Sequence, residues 1–198
     1  MTMETTTSNG KKGMVQVVLS GFGGQGVIMA GQILGRAAAV HEGRNAVMAQ
    51  SYGPESRGGA CKTEVILADG LITYPRVVNP DVAVVLSQEA YRLVGRPRPA
   101  TALLSAEEDL VTLDQDAENG KRVMRVPATR IAEQIGRRIV LNMVTLGFLC
   151  GATDIVSPEA LKAAIAASVP KGTEALNLRA FDAGYTHARG TASGGAPA

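Results

Sequence analysis

The sequence predicts an α/β domain on a mostly parallel sheet, with an inserted β-hairpin and a C-terminal helical segment. Three observations predict it. Short β-branched runs alternate with segments of helical period through the first half of the chain. The run VAVVL at residues 82–86 is almost wholly apolar, as a parallel strand covered by helices on both faces must be. After Pro127 the pattern becomes helical only. At 198 residues the chain is one domain of ordinary size, able to bury roughly 70% of its unfolded surface.

Residues 14–20 (MVQVVLS) form the first strand, stopped by a glycine cluster. Residues 25–40 place Val27, Ile28, Ile33 and Leu34 at helical spacing and predict a helix packed on the sheet. Residues 45–50 read as the second strand. The segment 51–59 (SYGPESRGG) is a loop, too rich in Gly and Pro to be either element. Residues 62–68, the turn pair Asp69-Gly70 and residues 71–76 predict the inserted hairpin. The strand at 82–86 leads into a short helix at 88–94, a rigid turn at 95–99, and further strands at 101–105 and 122–126. The acidic stretch between these two, 107–119, reads as a surface excursion. A long helix is expected over 129–152, with Gly136 and Gly147 as interruptions or close-packing points. Ser157, Pro158 and Glu159 supply an N-cap, a proline at the first helical position and a first-turn acid for a helix to about residue 168. Thr173 and Glu174 open a last helix to about 188. The tails 1–13 and 189–198 are expected to be flexible, bounding a domain at 14–188.

Composition narrows the function. Lys plus Arg number 20 against 18 Asp plus Glu, too near balance for a protein that lives by neutralising nucleic-acid phosphates. Cys61 and Cys150 are the only thiols, and an all-cysteine iron–sulfur cluster or structural zinc site needs four ligands. With His41 and His187 added, four soft ligands would require every Cys and His in the chain, so no metal site is assigned. The absence of a disulfide framework favours the cytoplasm. No apolar run approaches the length of a membrane span. The two histidines read as an exposed helix end and a residue near the terminus, and no catalytic constellation can be assembled.

The segment Gly21-Phe22-Gly23-Gly24-Gln25-Gly26 satisfies GxGxxG between a predicted strand and a predicted helix, which makes the domain Rossmann-like. A helix N-terminus offers unpaired N–H groups and partial positive charge, and missing side chains let a phosphate approach the backbone. The alternative is that these glycines only permit a tight turn and close packing. A dinucleotide fold also needs an acid about 20 residues on. Gln50 or Ser51 stands there, and Glu42 lies before the strand. A stand-alone NAD(P)-binding dehydrogenase thus remains as an alternative without its ribose contact.

The second loop joins Ser51, Tyr52, Gly53, Glu55, Arg57 and Gly58. At the carboxyl edge of the sheet it would line a site for a polar ligand or a partner, unless Glu55 and Arg57 merely pair to stiffen it. Asn142 reads as a buried polar residue capping a loop carbonyl, and Cys61 as a buried small hydrophobe.

GFGGQG after an apolar strand, SYGPESRGG about 25 residues later, and an apolar strand introduced by Pro80-Asp81 together resemble the gamma subunit of the 2-oxoacid:ferredoxin oxidoreductases. The resemblance covers residues 14–188. Ile72-Thr73-Tyr74-Pro75 makes it most like the 2-oxoglutarate-oxidising members; pyruvate, 2-oxoisovalerate and aromatic 2-oxoacids stay open. It implies a subunit of an enzyme that converts a 2-oxoacid and coenzyme A to acyl-CoA, carbon dioxide and reduced ferredoxin. Thiamine diphosphate, Mg and [4Fe-4S] clusters would belong to alpha and beta partner subunits, with a ferredoxin-like delta subunit in some assemblies. This chain would contribute CoA binding and subunit packing. Gly23, Gly24, Gln25 and Gly26 would then be the anion loop, with Ser51, Tyr52, Gly53, Glu55, Arg57 and Gly58 facing the ligand or the catalytic subunits. A purely packing role, with a glycine loop that binds nothing, is the remaining alternative.

Overall fold

A computed structural model describes residues 13–53, 59–118 and 122–193. Its centre is one six-stranded sheet in the order β2-β3-β1-β4-β5-β6. The strands are β1 (Met14–Phe22), β2 (Asn45–Tyr52), β3 (Ala60–Ala68), β4 (Val82–Val85), β5 (Leu103–Glu107) and β6 (Val123–Val126). β1, β4, β5 and β6 run parallel, while β3 runs antiparallel to both β1 and β2. Residues 14–20, 45–50, 82–86 and 122–126 are strands as expected, and 101–105 is shifted two residues towards the C-terminus.

The expected hairpin is not the one that forms. Residues 71–76 are coil, because β3 is paired along both edges and offers them no free backbone. β3 turns back on β2 instead. The segment after β3 crosses the outer face of the sheet, where Arg76 Nε lies 2.7 Å from Glu64 Oε2 and the Val78 N–H donates to Gln16 Oε1 at 2.9 Å. Glu64 is buried there and also meets Lys62 Nζ at 2.7 Å.

Helix α1 (Val27–Arg36) continues into one π turn to His41. It packs with α4 (Ala128–Ile135), α5 (Leu141–Ala152), α6 (Pro158–Ser168) and α7 (Glu174–Ser193) in the larger core, against Val17, Leu19, Val65 and Val84. On the opposite face α2 (Gln88–Ala90) and its π turn bring Ala90 and Tyr91 onto Val85, Leu104 and Ala106. Alternation of side chains along each strand supplies both faces. Ser157 caps α6, accepting from the Ala160 N–H at 3.3 Å, with Pro158 in the first turn.

The long helix expected over 129–152 is two. Gly136 ends α4, and a 3-10 turn at Arg138–Val140 leads into α5. Gly147 is a close-packing point: a Cβ there would overlap the Phe181 carbonyl of α7, and one on Gly184 would overlap the Val144 carbonyl of α5. The two helices therefore cross backbone to backbone. α7 runs to Ser193, so 189–193 are helical rather than tail. The stretch 107–119 is no simple excursion either. Glu107 is fully buried, accepting the N–H groups of Asp109, Leu110 and Thr129 at 2.7–3.0 Å, and Val111 and Ala117, the latter on α3 (Gln115–Glu118), complete the smaller core.

Candidate functional site

β1 ends at the glycine cluster and α1 begins at Val27, with Gly24 (φ 94°) and Gly26 (φ 71°) in the left-handed region, where a Cβ is disfavoured. The loop is braced from within. Gln25 Oε1 accepts the Phe22 N–H at 2.7 Å and Gln25 Nε2 donates to the Leu86 carbonyl at 2.8 Å. Gln25 thus spans the crevice between the carboxyl ends of β1 and β4, from which chain leaves to opposite faces of the sheet. Open α/β folds receive ligands at such switch points; here a side-chain amide fills it.

The two sequence loops do meet. β2 and β1 both run antiparallel to β3, so Tyr52 and Phe22 end at one edge of the sheet. The Gly23 N–H donates to the Gly59 carbonyl at 2.9 Å, and the Gly53 N–H to the Ala60 carbonyl at 2.6 Å. Beside this edge, on the α1–α5–α7 face, opens a cleft of about 500 Å³. Gly23, Gly24, Gly26, Tyr52 and Cys61 line it.

Three helix starts line the same cleft: Val27, Ile28 and Met29 of α1; Val140 of the 3-10 turn that leads into α5, with Asn142 of α5; and Thr173 just before α7, with Leu176 and Asn177 of α7. The first N–H groups of a helix have no intrahelical partner, and each helix start carries about half a positive charge. Among the described lining residues Arg137 is the only charged one. The remaining lining is mostly apolar, and Phe22, Met29, Tyr52 and Ile139 are exposed around it. The cleft is therefore suited to a molecule with anionic groups and an apolar body.

Asn142 fixes this geometry. It is buried, and its Nδ2 donates to the Gly26 carbonyl at 3.3 Å, the capping role read from the sequence. That carbonyl also accepts the Ala30 N–H at 2.9 Å. Cys61 is a buried small residue, and burial pushes its thiol pKa up.

Of the residues singled out in the sequence, the cleft gathers Gly23, Gly24, Gly26 and Tyr52. Gln25 braces the loop instead of lining the cleft. Ser51 faces the other side of the sheet, since its neighbour Tyr52 and the latter's partner Cys61 line the cleft. Gly53 is engaged in the β2–β3 connection. Glu55, Arg57 and Gly58 lie outside the described residues. Arg137, Thr173 and Asn177 were not legible as site residues. The pattern over 129–152 predicts one long helix with Arg137 inside it, and only the break at Gly136 carries Arg137 to the cleft. Among the described residues no cluster of three potential metal ligands occurs, and no helix is long and apolar enough to cross a membrane.

A strand, glycine loop and helix, with an antiparallel strand inserted beside the first strand and a helical layer behind, define a class of α/β domain whose strand order differs from that of a dinucleotide-binding fold. The chain belongs to the pyruvate ferredoxin/flavodoxin oxidoreductase family, whose model matches residues 16–187, and is a gamma subunit of the 2-oxoacid:ferredoxin oxidoreductases. It is 49% identical to the 2-oxoglutarate synthase subunit KorC of Methanocaldococcus jannaschii over 175 residues, 88% of this chain and 94% of that one. Its structure is similar to that of the keto/oxoacid ferredoxin oxidoreductase gamma subunit from Geobacter sulfurreducens, with a TM-score of 0.77 and 36% identity over 88% of this chain and 98% of the other. The same fold recurs within 32% of a chain of the 2-oxoglutarate:ferredoxin oxidoreductase from Magnetococcus marinus, at 21% identity, TM-score 0.83 and 91% of this chain.

Proposed function

We propose that this gamma subunit provides the CoA-binding cleft of a cytoplasmic 2-oxoglutarate:ferredoxin oxidoreductase. The complex would convert 2-oxoglutarate, CoA and two oxidised ferredoxins to succinyl-CoA, carbon dioxide, a proton and two reduced ferredoxins. The observation that supports CoA binding is the meeting of three helix starts in one largely apolar cleft without a described acidic lining residue. CoA combines a diphosphate and a 3′-phosphate with a long, weakly polar pantetheine arm, so its anions suit the helix N–H groups and its arm the apolar wall. The 2-oxoacid is assigned from the relatives, which are named 2-oxoglutarate synthase subunits.

Thiamine diphosphate, Mg and [4Fe-4S] clusters are assigned to the alpha and beta subunits and, for the clusters, to a ferredoxin-like subunit where one is present. The residues here do not suit a cluster: two cysteines are too few. They also lie apart, Cys61 at the cleft and Cys150 near the C-terminal end of α5. When bound to the partners, thiamine diphosphate would supply the carbanion chemistry of decarboxylation. The role of this chain is to bind and orient CoA.

The test is Met29→Glu in the reconstituted complex. Met29 is exposed in the first turn of α1, where a glutamate suits the helix dipole but opposes a bound diphosphate. The KM for CoA should rise about tenfold while CoA-independent exchange of carbon dioxide with the 2-oxoacid carboxylate is unchanged. An unchanged KM would favour the packing-only role.

A further inference from the structure

Resting on the CoA reading of the cleft, we infer that Arg137 is the specificity-determining residue that recognises the 3′-phosphate of CoA. Arg137 stands just before the 3-10 turn that leads into α5, exposed at the cleft. It forms no ion pair with a described carboxylate, and none of the described lining residues is acidic.

CoA presents two anionic groups separated by its ribose. The diphosphate is extended and needs several donors, which the N–H groups of a helix start supply in a row. The Val27–Met29 turn beside Gly24 and Gly26 is that row. The 3′-phosphate is a compact monoester that suits the planar fork of one guanidinium. Arg137 lies on the α4–α5 connection, a different wall from α1, and is placed to take the group that α1 leaves. Arg138 is also exposed but does not line the cleft, so it provides a control of the same charge.

The experiment compares CoA with 3′-dephospho-CoA as acceptor for the reconstituted complex carrying wild-type, Arg137→Ala, Arg137→Lys, Arg138→Ala or Met29→Glu subunits. Loss of one solvent-exposed charged hydrogen-bond pair corresponds to about a tenfold change. Arg137→Ala should raise the KM for CoA about tenfold, leave kcat unchanged and leave the KM for 3′-dephospho-CoA where it was. Arg137→Lys should restore part of the discrimination, and Arg138→Ala should change nothing. Equal rises for both acceptors would place Arg137 on the diphosphate and overturn the assignment, as would an unchanged KM in Arg137→Ala while Met29→Glu raises it. If neither variant changes the KM for CoA, the CoA reading itself fails.

Discussion

Replacing Gly26 by alanine tests how the glycine loop is locked to α5. Two costs arise. At φ 71° an L-residue pays about 1–2 kcal/mol for left-handed backbone. Its Cβ would also meet Asn142, within 2.6 Å of Cγ and closer still to Nδ2. Moving that buried amide costs about 1–3 kcal/mol of overpacking, with about 1 kcal/mol more for its hydrogen bond to the Gly26 carbonyl. The expected destabilisation is about 3–6 kcal/mol. Gly24→Ala isolates the backbone cost, because its φ is also positive, at 94°, and nothing lies within 4 Å of its Cβ; about 1–2 kcal/mol is expected. For a chain of this size these correspond to losses of roughly 10 °C and roughly 4 °C in Tm. Asn142→Ala alone should cost about 1–2 kcal/mol, since the Gly26 carbonyl keeps the Ala30 N–H. In the double variant the two closest atoms, Asn142 Cγ and Nδ2, are gone and only the Cβ of residue 142, 3.0 Å from the added methyl, still presses on it, so the combined cost should fall about 2 kcal/mol short of the sum. Urea unfolding of the four variants measures this. Equal costs for Gly24→Ala and Gly26→Ala, or strict additivity in the double variant, would refute the lock.

Two further perturbations probe groups away from the cleft. Glu64→Gln weakens the contact to Arg76 that holds the 69–81 crossing against the sheet, and the contact to Lys62 within β3 itself. Both cations are partly exposed, so a loss of about 1–2 kcal/mol is expected, with faster amide exchange in that segment; unchanged exchange would show the ion pairs to be idle. Burial pushes the Cys150 thiol pKa up from 9.0 to about 12. Its folded-state pKa lies above the unfolded value, so its contribution is fully present below about pH 9 and is lost as pH rises towards 12. The slope is up to about 1.4 kcal/mol per pH unit. Urea midpoints from pH 7 to 10.5 should fall above pH 9, less steeply in Cys150→Ala. Identical slopes would contradict this.

Local rules made much of this molecule legible. Apolar β-branched runs ended by glycine or proline gave the strands, because burial on both faces leaves such a run few alternatives. Ser157-Pro158-Glu159 marked the start of α6, since capping is decided within four residues. Asn142 was readable as a cap because a lone amide in an apolar helix needs a partner. What failed was set by tertiary pairing. Residues 71–76 have a strand-like composition, but which strand occupies the edge of β3 is decided by β1, more than 40 residues away in sequence. Gly136 was visible as a possible break, yet whether the helix resumes in line or turns depends on how α5 seats against α1 and α7. Arg137 owes its place at the cleft to that turn.

β3 also explains why GxGxxG is misleading here when read alone. In a dinucleotide fold the second parallel strand lies next to the first, so the acid at its end reaches a ribose whose phosphates sit on the glycine loop. Here β3 is inserted between β1 and β2. The end of β2 is moved to roughly 9–10 Å from β1, two strand spacings, and a carboxylate placed there would not be in the dinucleotide position. Gln25 fills the β1–β4 crevice as well. The ribose position at the end of the second strand and the crevice that a dinucleotide crosses are lost together. The motif still builds a strand, a tight loop and an open helix start, but the accessible side of that start faces α5 and α7. One inserted antiparallel strand and one amide thus redirect the loop from the sheet edge to a cleft among helix N-termini.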